Sequence, residues 1–289
     1  MGRDAASWRF KQDDEIVPGR YAKRLLGGGT RYEAYLAWDD ELYSLVVAKL
    51  LRPSHVDKDY AREGLAAEAE MLQRLSHPSL LRSFDAVVDG ERPHLILEFL
   101  EGPRLSTLLR KHGPLSIEQL VPLGVQVCSA IHYMARRGVV HLDVKPKNII
   151  MGAPPRLIDL SVARDAAAAA RLTTQIGTDA YMAPEQCEPE RGGIGPASDV
   201  WGIGVTLFEA ACGYRPFPSP EEDGDPYPQL RFEPLPLPDG LPHPLVEVIE
   251  ACLQPEPAAR PTAAEVAQGL EPVLAALPTR PRLGRFKPR

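Results

Sequence analysis

The apolar residues of this 289-residue chain change their period once, near residue 100. Before that point the apolar runs are short and bounded by polar turns. "SLVVAKLL" (44–51) and "HLILEFL" (94–100) both read as strands. One helical pattern interrupts them at 61–75, where Leu65, Leu72 and Leu75 fall near one face with Ala69 and Met71 beside it. After Leu105 the pattern is helical. Ser116 is placed to cap a helix that runs to a glycine stop at Gly138, and further helices are expected at 198–212, 244–253 and 262–277. The chain is therefore expected to be α+β, with a strand-rich lobe preceding a helix-rich lobe and a cleft between them. The expected partition is a flexible arm at 1–18, a small lobe at 19–100, a large lobe at 101–277 and a basic tail at 278–289. The proline-rich stretch 234–244 is expected to be an extended connector.

Charge narrows the partners. With 33 Lys and Arg against 39 Asp and Glu, the net charge is −6, which argues against non-specific binding to nucleic acid or anionic membrane. No apolar stretch reaches the roughly 18 residues a membrane span needs. The first fourteen residues lack the apolar core of a secretory signal. Cys128, Cys187, Cys212 and Cys252 are widely spaced and form no CxxC pair, which fits a reducing cytoplasm.

Three stretches carry chemistry. In "LGGGTRYEAY" (26–35), glycines between two strand-like runs let backbone N–H groups approach phosphate oxygens. Lys49 sits inside an apolar run, where a lysine is costly unless paired, and Glu68 on the following helix is the candidate partner. "HLDVKPKN" (141–148) sets an acid, a base and an amide within six residues, and Asp159 follows at the end of another apolar run. Carboxylates and an amide on loop tips suit a hard cation such as Mg²⁺ bridging to phosphates.

Together these residues resemble a eukaryotic-like (Hanks-type) serine/threonine protein kinase of the bacterial kind, over residues 19–275. The spacings Gly27 to Lys49 and Lys49 to Glu68 match that family. So do "HLDVKPKN", "DLS" (159–161), "APE" (183–185), "SDVWGIGVTLFE" and Arg260 as the partner of Glu185. The resemblance implies a bilobal fold: a small antiparallel sheet with one main helix, and a larger, mostly helical lobe. It implies ATP and Mg²⁺ as cofactors, with γ-phosphate transfer to a Ser or Thr hydroxyl of a protein substrate. By the same resemblance, Lys49 would hold the α and β phosphates, positioned by Glu68, and Asn148 and Asp159 would hold Mg²⁺. Asp143 would orient the hydroxyl and accept its proton, and Lys145 would balance charge on the moving phosphate. Thr178 is where the Ser/Thr branch places a threonine beside them. The adenine pocket would be built from Leu26, Gly27, Gly28, Gly29, Ala34, Val47, the gatekeeper Leu97, the hinge Glu98–Leu100, and Ile150 as the floor.

Several positions depart from the family pattern. Tyr32 replaces the third glycine of the loop, Leu142 the arginine before the catalytic aspartate, and Leu160 and Ser161 the Phe and Gly after the metal-binding one. Ala34 and Val47 exchange the usual Val and Ala with summed volume kept, so adenine is expected to fit. Without an arginine at 142, phosphorylation of Thr173 or Thr174 is not expected to be a strict on-switch. The altered loop and the DLS carry an alternative: a nucleotide-binding pseudokinase acting as a scaffold or allosteric regulator. A small-molecule kinase is a third reading, opposed by the APE segment, Asp199 and Arg260. Neither substrate nor oligomeric state is written in the sequence.

Overall fold

The computed structural model describes residues 6–218 and 226–277. Its small lobe is one antiparallel six-stranded sheet in the order β1-β2-β3-β4-β6-β5. The strands are β1 (Glu15–Val17), β2 (Arg20–Gly28), β3 (Tyr32–Asp39), β4 (Ser44–Leu51), β5 (Ser83–Val87) and β6 (His94–Glu98). Strand β4 shows why the run is apolar throughout. Val46, Ala48 and Leu50 pack on one face with Tyr35, Ala37 and Ile96, while Leu51 and Val47 pack on the other, with α1 (Asp59–Arg74). A strand buried on both faces needs cover on both.

That second cover corrects the flexible arm expected at 1–18 over its described residues, 6–18. Trp8, Phe10, Ile16 and Val17 lie on the outer face of the sheet, with Ile16 and Val17 buried. The indole N–H of Trp8 donates to the Leu51 carbonyl at 2.8 Å, and the Arg92 guanidinium stacks over Trp8 and Phe10. Without these residues Tyr35, Val46, Ala48 and Leu50 would face water, so the segment folds down as a strap. Each large side chain covered in this way is worth about 1.5–3 kcal/mol.

The large lobe is helical: α2 (Leu105–His112), α3 (Ile117–Arg136), short α4 (Ala166–Ala169) and α5 (Pro184–Cys187), α6 (Pro196–Cys212), α7 (His243–Cys252) and α8 (Ala263–Ala276). The chain enters α3 through Ser116, whose N–H donates to the Gln119 side chain, and leaves it at Gly138 with φ 69°. Helix α6 is buried nearly all round and forms the centre of the lobe, as expected for a helix apolar on every side. Gly202 on α6 touches the 141–148 stretch directly, since a Cβ there would lie 3.0 Å from the Val144 carbonyl oxygen. Two strand pairs frame the site: β7 (Val139–Val140) with β10 (Arg164–Asp165), and β8 (Ile149–Ile150) with β9 (Arg156–Leu157). The connector at 234–244 has no strand, and α7 begins at His243. The basic tail at 278–289 lies outside the described residues.

Candidate active site

Strand β4 and helix α1 bring Lys49 and Glu68 together. The Lys49 ammonium donates to both Glu68 carboxylate oxygens at 2.7 Å, and the Glu68 side chain is 1% exposed. The same ammonium reaches Asp159 at 3.3 Å, across 110 residues of sequence. Burial alone would lower the Lys49 pKa, but the facing Glu68 and Asp159 carboxylates more than offset it and raise it. Burial would raise Asp159, yet Lys49 and the Ser161 hydroxyl hold its carboxyl well below the usual carboxylate range. Both groups therefore stay charged around neutral pH.

Below them lies the loop between β7 and β8. Asp143 is held by three donors. The Thr178 hydroxyl donates to Oδ1 at 2.7 Å, while Lys145 (2.5 Å) and the Asn148 amide (2.9 Å) donate to Oδ2. Lys145 also bonds the Thr178 hydroxyl, so the three side chains close a ring. A carboxylate accepts about four hydrogen bonds, which leaves Asp143 room for one more. Asn148 spends its amide hydrogens on Asp143, so its amide oxygen is what it offers a cation.

The loop is anchored from beneath. Buried Asp199, on α6, accepts the backbone N–H groups of His141 and Leu142, each at 2.7 Å. Leu142 and Asp159 both adopt left-handed backbone, φ 64° and 69°. For a leucine that conformation costs on the order of 1–3 kcal/mol. It is held because the N–H bonds Asp199, the carbonyl accepts from Gln186 at 3.0 Å, and the side chain is buried. Leu142 packs with Ala169 and Ile194, and Ala166, Leu172 and Ile176 border that cluster. The segment that precedes Thr178 is thus seated on an apolar patch where the family pattern has an arginine.

Pairing across the sheet sets the upper wall. Gly27 lies opposite Ala34 and Ala34 opposite Lys49, while Val47 lies opposite buried Leu97. Leu26, exposed on β2, and Gly29, just beyond the end of that strand, border this wall. Gly28 makes a close approach, since a Cβ there would fall 2.5 Å from the Tyr32 carbonyl oxygen. Glu98 is partly exposed and salt-bridged to Arg156 at 3.3 Å, and Leu100 is half-buried. Ile150, on β8, enters from the large lobe.

Sequence reasoning missed two features. Tyr32, noted only as a lost glycine, places its ring 4.7 Å from the Lys49 ammonium. Strand alternation was the available signal, because residues 32 and 34 must share the pocket face. Nothing in the sequence marks Arg52. It bonds both buried Glu33 and the carbonyl of Gly29, at 2.7 and 2.8 Å.

Among the described residues no cluster of three His, Cys, Asp or Glu could hold a metal unaided. One carboxylate (Asp159) and one amide oxygen (Asn148) are instead the hard-oxygen donor set that suits Mg²⁺ carried by phosphates. The protein kinase domain model matches residues 21–269. The chain belongs to the protein kinase family. It is 36% identical to serine/threonine-protein kinase PkaA of Streptomyces coelicolor, over 71% of this chain and 39% of that protein. It is 34% identical to probable serine/threonine-protein kinase PkwA of Thermomonospora curvata, over 87% of this chain and 33% of that protein. With serine/threonine-protein kinase PknB of Mycobacterium leprae the identity is 29%, over 73% of this chain and 35% of that protein. The chain thus spans about a third of the length of these relatives.

Proposed function

We propose that this chain is a protein serine/threonine kinase that transfers the γ-phosphoryl group of Mg-ATP to a protein hydroxyl. The observation that carries this reading is the Lys49 ammonium, which joins Glu68 and Asp159 across the two lobes. Bound Mg-ATP supplies an activated phosphoryl group and a divalent charge. Asp159 and Asn148 would hold the metal, and Lys49 the phosphates. Leu26, Gly27, Gly28, Gly29, Ala34, Val47, Leu97, Glu98, Leu100 and Ile150 would enclose the nucleotide. Asp143, already oriented by Thr178, Lys145 and Asn148, takes the substrate hydroxyl as its fourth hydrogen bond. As the hydroxyl oxygen bonds to the γ-phosphorus, its proton passes to Asp143 and the bond to the β–γ bridging oxygen breaks, releasing ADP. Lys145 two residues after Asp143, with Thr178 beside both, resembles the Ser/Thr branch of the family, in keeping with the serine/threonine-protein kinases that the chain is similar to.

The cytoplasm suits this reading. Cys128, Cys187, Cys212 and Cys252 are unpaired, and burial pushes Cys187 and Cys252 up to about 12 and Cys212 to about 11. No helix among the described residues is long and apolar enough to cross a membrane. One observation favours the scaffold alternative: the Tyr32 ring covers Lys49, the group that should meet phosphate. Labelled ATP with Mg²⁺ and a generic protein substrate separates the two. Transfer that disappears in Asp143→Ala supports the kinase. Nucleotide binding without transfer in the unmodified protein supports the scaffold.

A further inference from the structure

A second buried ion pair lies in the small lobe, on the side of β3 away from the cleft. Glu33 is 1% exposed and sits one residue after Tyr32. Its carboxylate accepts from the Arg52 guanidinium at 2.7 Å, and from the Tyr35 hydroxyl and the backbone N–H of Trp8, each at 3.2 Å. Burying a carboxylate this deeply costs stability unless it is fully paired, and the three donors that pair Glu33 hold a definite geometry.

Arg52 shows which geometry. Its Nε donates to the carbonyl of Gly29, at the tip of the glycine-rich loop, at 2.8 Å. Its own backbone N–H donates to the carbonyl of Arg31 at 2.8 Å, and the Gly29 N–H closes the turn onto Tyr32 at 3.0 Å. The loop is therefore tied at two carbonyls to one residue at the end of β4. That residue is oriented by Glu33, and Glu33 is held by the strap. The strap is itself anchored by the Trp8 indole on Leu51, the residue before Arg52, and by Arg92, which donates to the Ile16 carbonyl at 2.6 Å.

We propose that Glu33 and Arg52 are positioning residues for the glycine-rich loop, and that the segment from Trp8 to Val17 is a strap acting through them on the nucleotide site. The inference rests on the nucleotide-binding reading of the cleft but not on phosphotransfer. A chain of bonds runs from Trp8 through Glu33 and Arg52 to Gly29, so whatever lifts the strap loosens the loop. A loop free to sample open geometries binds phosphates more weakly, because ordering it then opposes binding.

The test pairs two readouts on Arg52→Met, Trp8→Ala, their double variant and Ile96→Ala. Ile96→Ala loosens the same outer core without touching the chain of bonds. Hydrogen exchange of residues 26–34 is measured without nucleotide, and the dissociation constant of a non-hydrolysable Mg-ATP analogue is measured by calorimetry. Arg52→Met should speed loop exchange and weaken the analogue about tenfold, the loss of one charge-assisted hydrogen bond. Trp8→Ala should do the same more weakly, about threefold, with little further loss in the double variant. Ile96→Ala should destabilise the lobe yet leave the analogue within about twofold. Equal effects of Ile96→Ala and Arg52→Met would reduce the network to simple stability. Unchanged loop exchange in Arg52→Met would overturn the proposal outright. An unmodified protein that fails to bind the analogue would overturn the nucleotide reading instead, with loop exchange still deciding the positioning claim.

Discussion

Arg260 with Glu185 and Lys49 with Glu68 are both buried ion pairs, but only one of them is closed. Arg260 uses all five of its N–H groups: two on Glu185, at 2.7 and 2.9 Å, and three on the carbonyls of Ala197, Gln254 and Pro255. Its guanidinium lies over the Trp201 ring, and Glu185 takes a further bond from Ser198. Nothing is left for a ligand. Lys49 instead shares its ammonium between Glu68 and the longer contact to Asp159, whose side chain is 38% exposed. A long hydrogen bond to a half-open carboxylate can be exchanged for another oxygen. The closed pair fixes the frame of the large lobe, and the open pair is available for chemistry.

The sharpest way to break this comparison is to leave Arg260 unpaired. Glu185→Gln should cost about 3–5 kcal/mol in urea unfolding, because a buried guanidinium loses its counter-charge. Lys49→Met should act the other way round. Phosphotransfer should fall about 10²–10³-fold, comparable to losing one preorganised electrostatic contact. The stability loss should be smaller than in Glu185→Gln, since the Glu68 carboxyl, already pushed up by burial, can take a proton. Similar unfolding losses in both variants would erase the distinction.

Two smaller effects sharpen it. Tyr32→Gly uncovers the open pair, and removing one cation–π contact should tighten Mg-ATP binding about threefold. Weaker binding would instead make the ring part of the site. The last effect is on pH. Asp159 has a carboxyl pKa below its unfolded value, so between the two values the unfolded chain binds more protons. Its contribution to stability is full above the ordinary carboxylate pKa and is lost as pH falls. The stability difference between the unmodified protein and Asp159→Asn should stay level from about pH 7 to 5 and shrink below about pH 4. A difference that shrinks near neutrality would mean that Lys49 does not hold Asp159 charged.

What was legible in the sequence divides along physical lines. Lys49 and Glu68 could be matched because a charge in an apolar strand demands a partner and the next helix offers one nineteen residues on. Glu33 and Arg52 are also nineteen residues apart, but Arg52 follows the apolar run rather than interrupting it, so nothing marked it. Helices α6 to α8 followed from their periodicity, with ends shifted by a residue or two. The strap was not legible because residues 8–17 have no period. Their order comes from the outer face of a sheet formed by residues far along the chain. The alternation of Val46, Ala48 and Leu50 against Val47 and Leu51 did hold the clue, as both sets are apolar. The seat of Leu142 was likewise hidden. Its neighbours Ala169, Ile176 and Ile194 are scattered in sequence and meet only once the segment folds back.

The most direct test of the central claim is a crystal structure with Mg²⁺ and a non-hydrolysable ATP analogue. The account predicts α and β phosphates on the Lys49 ammonium, metal between Asp159 and the Asn148 amide oxygen, and the Tyr32 ring moved off Lys49. Phosphates bound away from Lys49, with its bonds to Glu68 and Asp159 and the Tyr32 contact all intact, would contradict it.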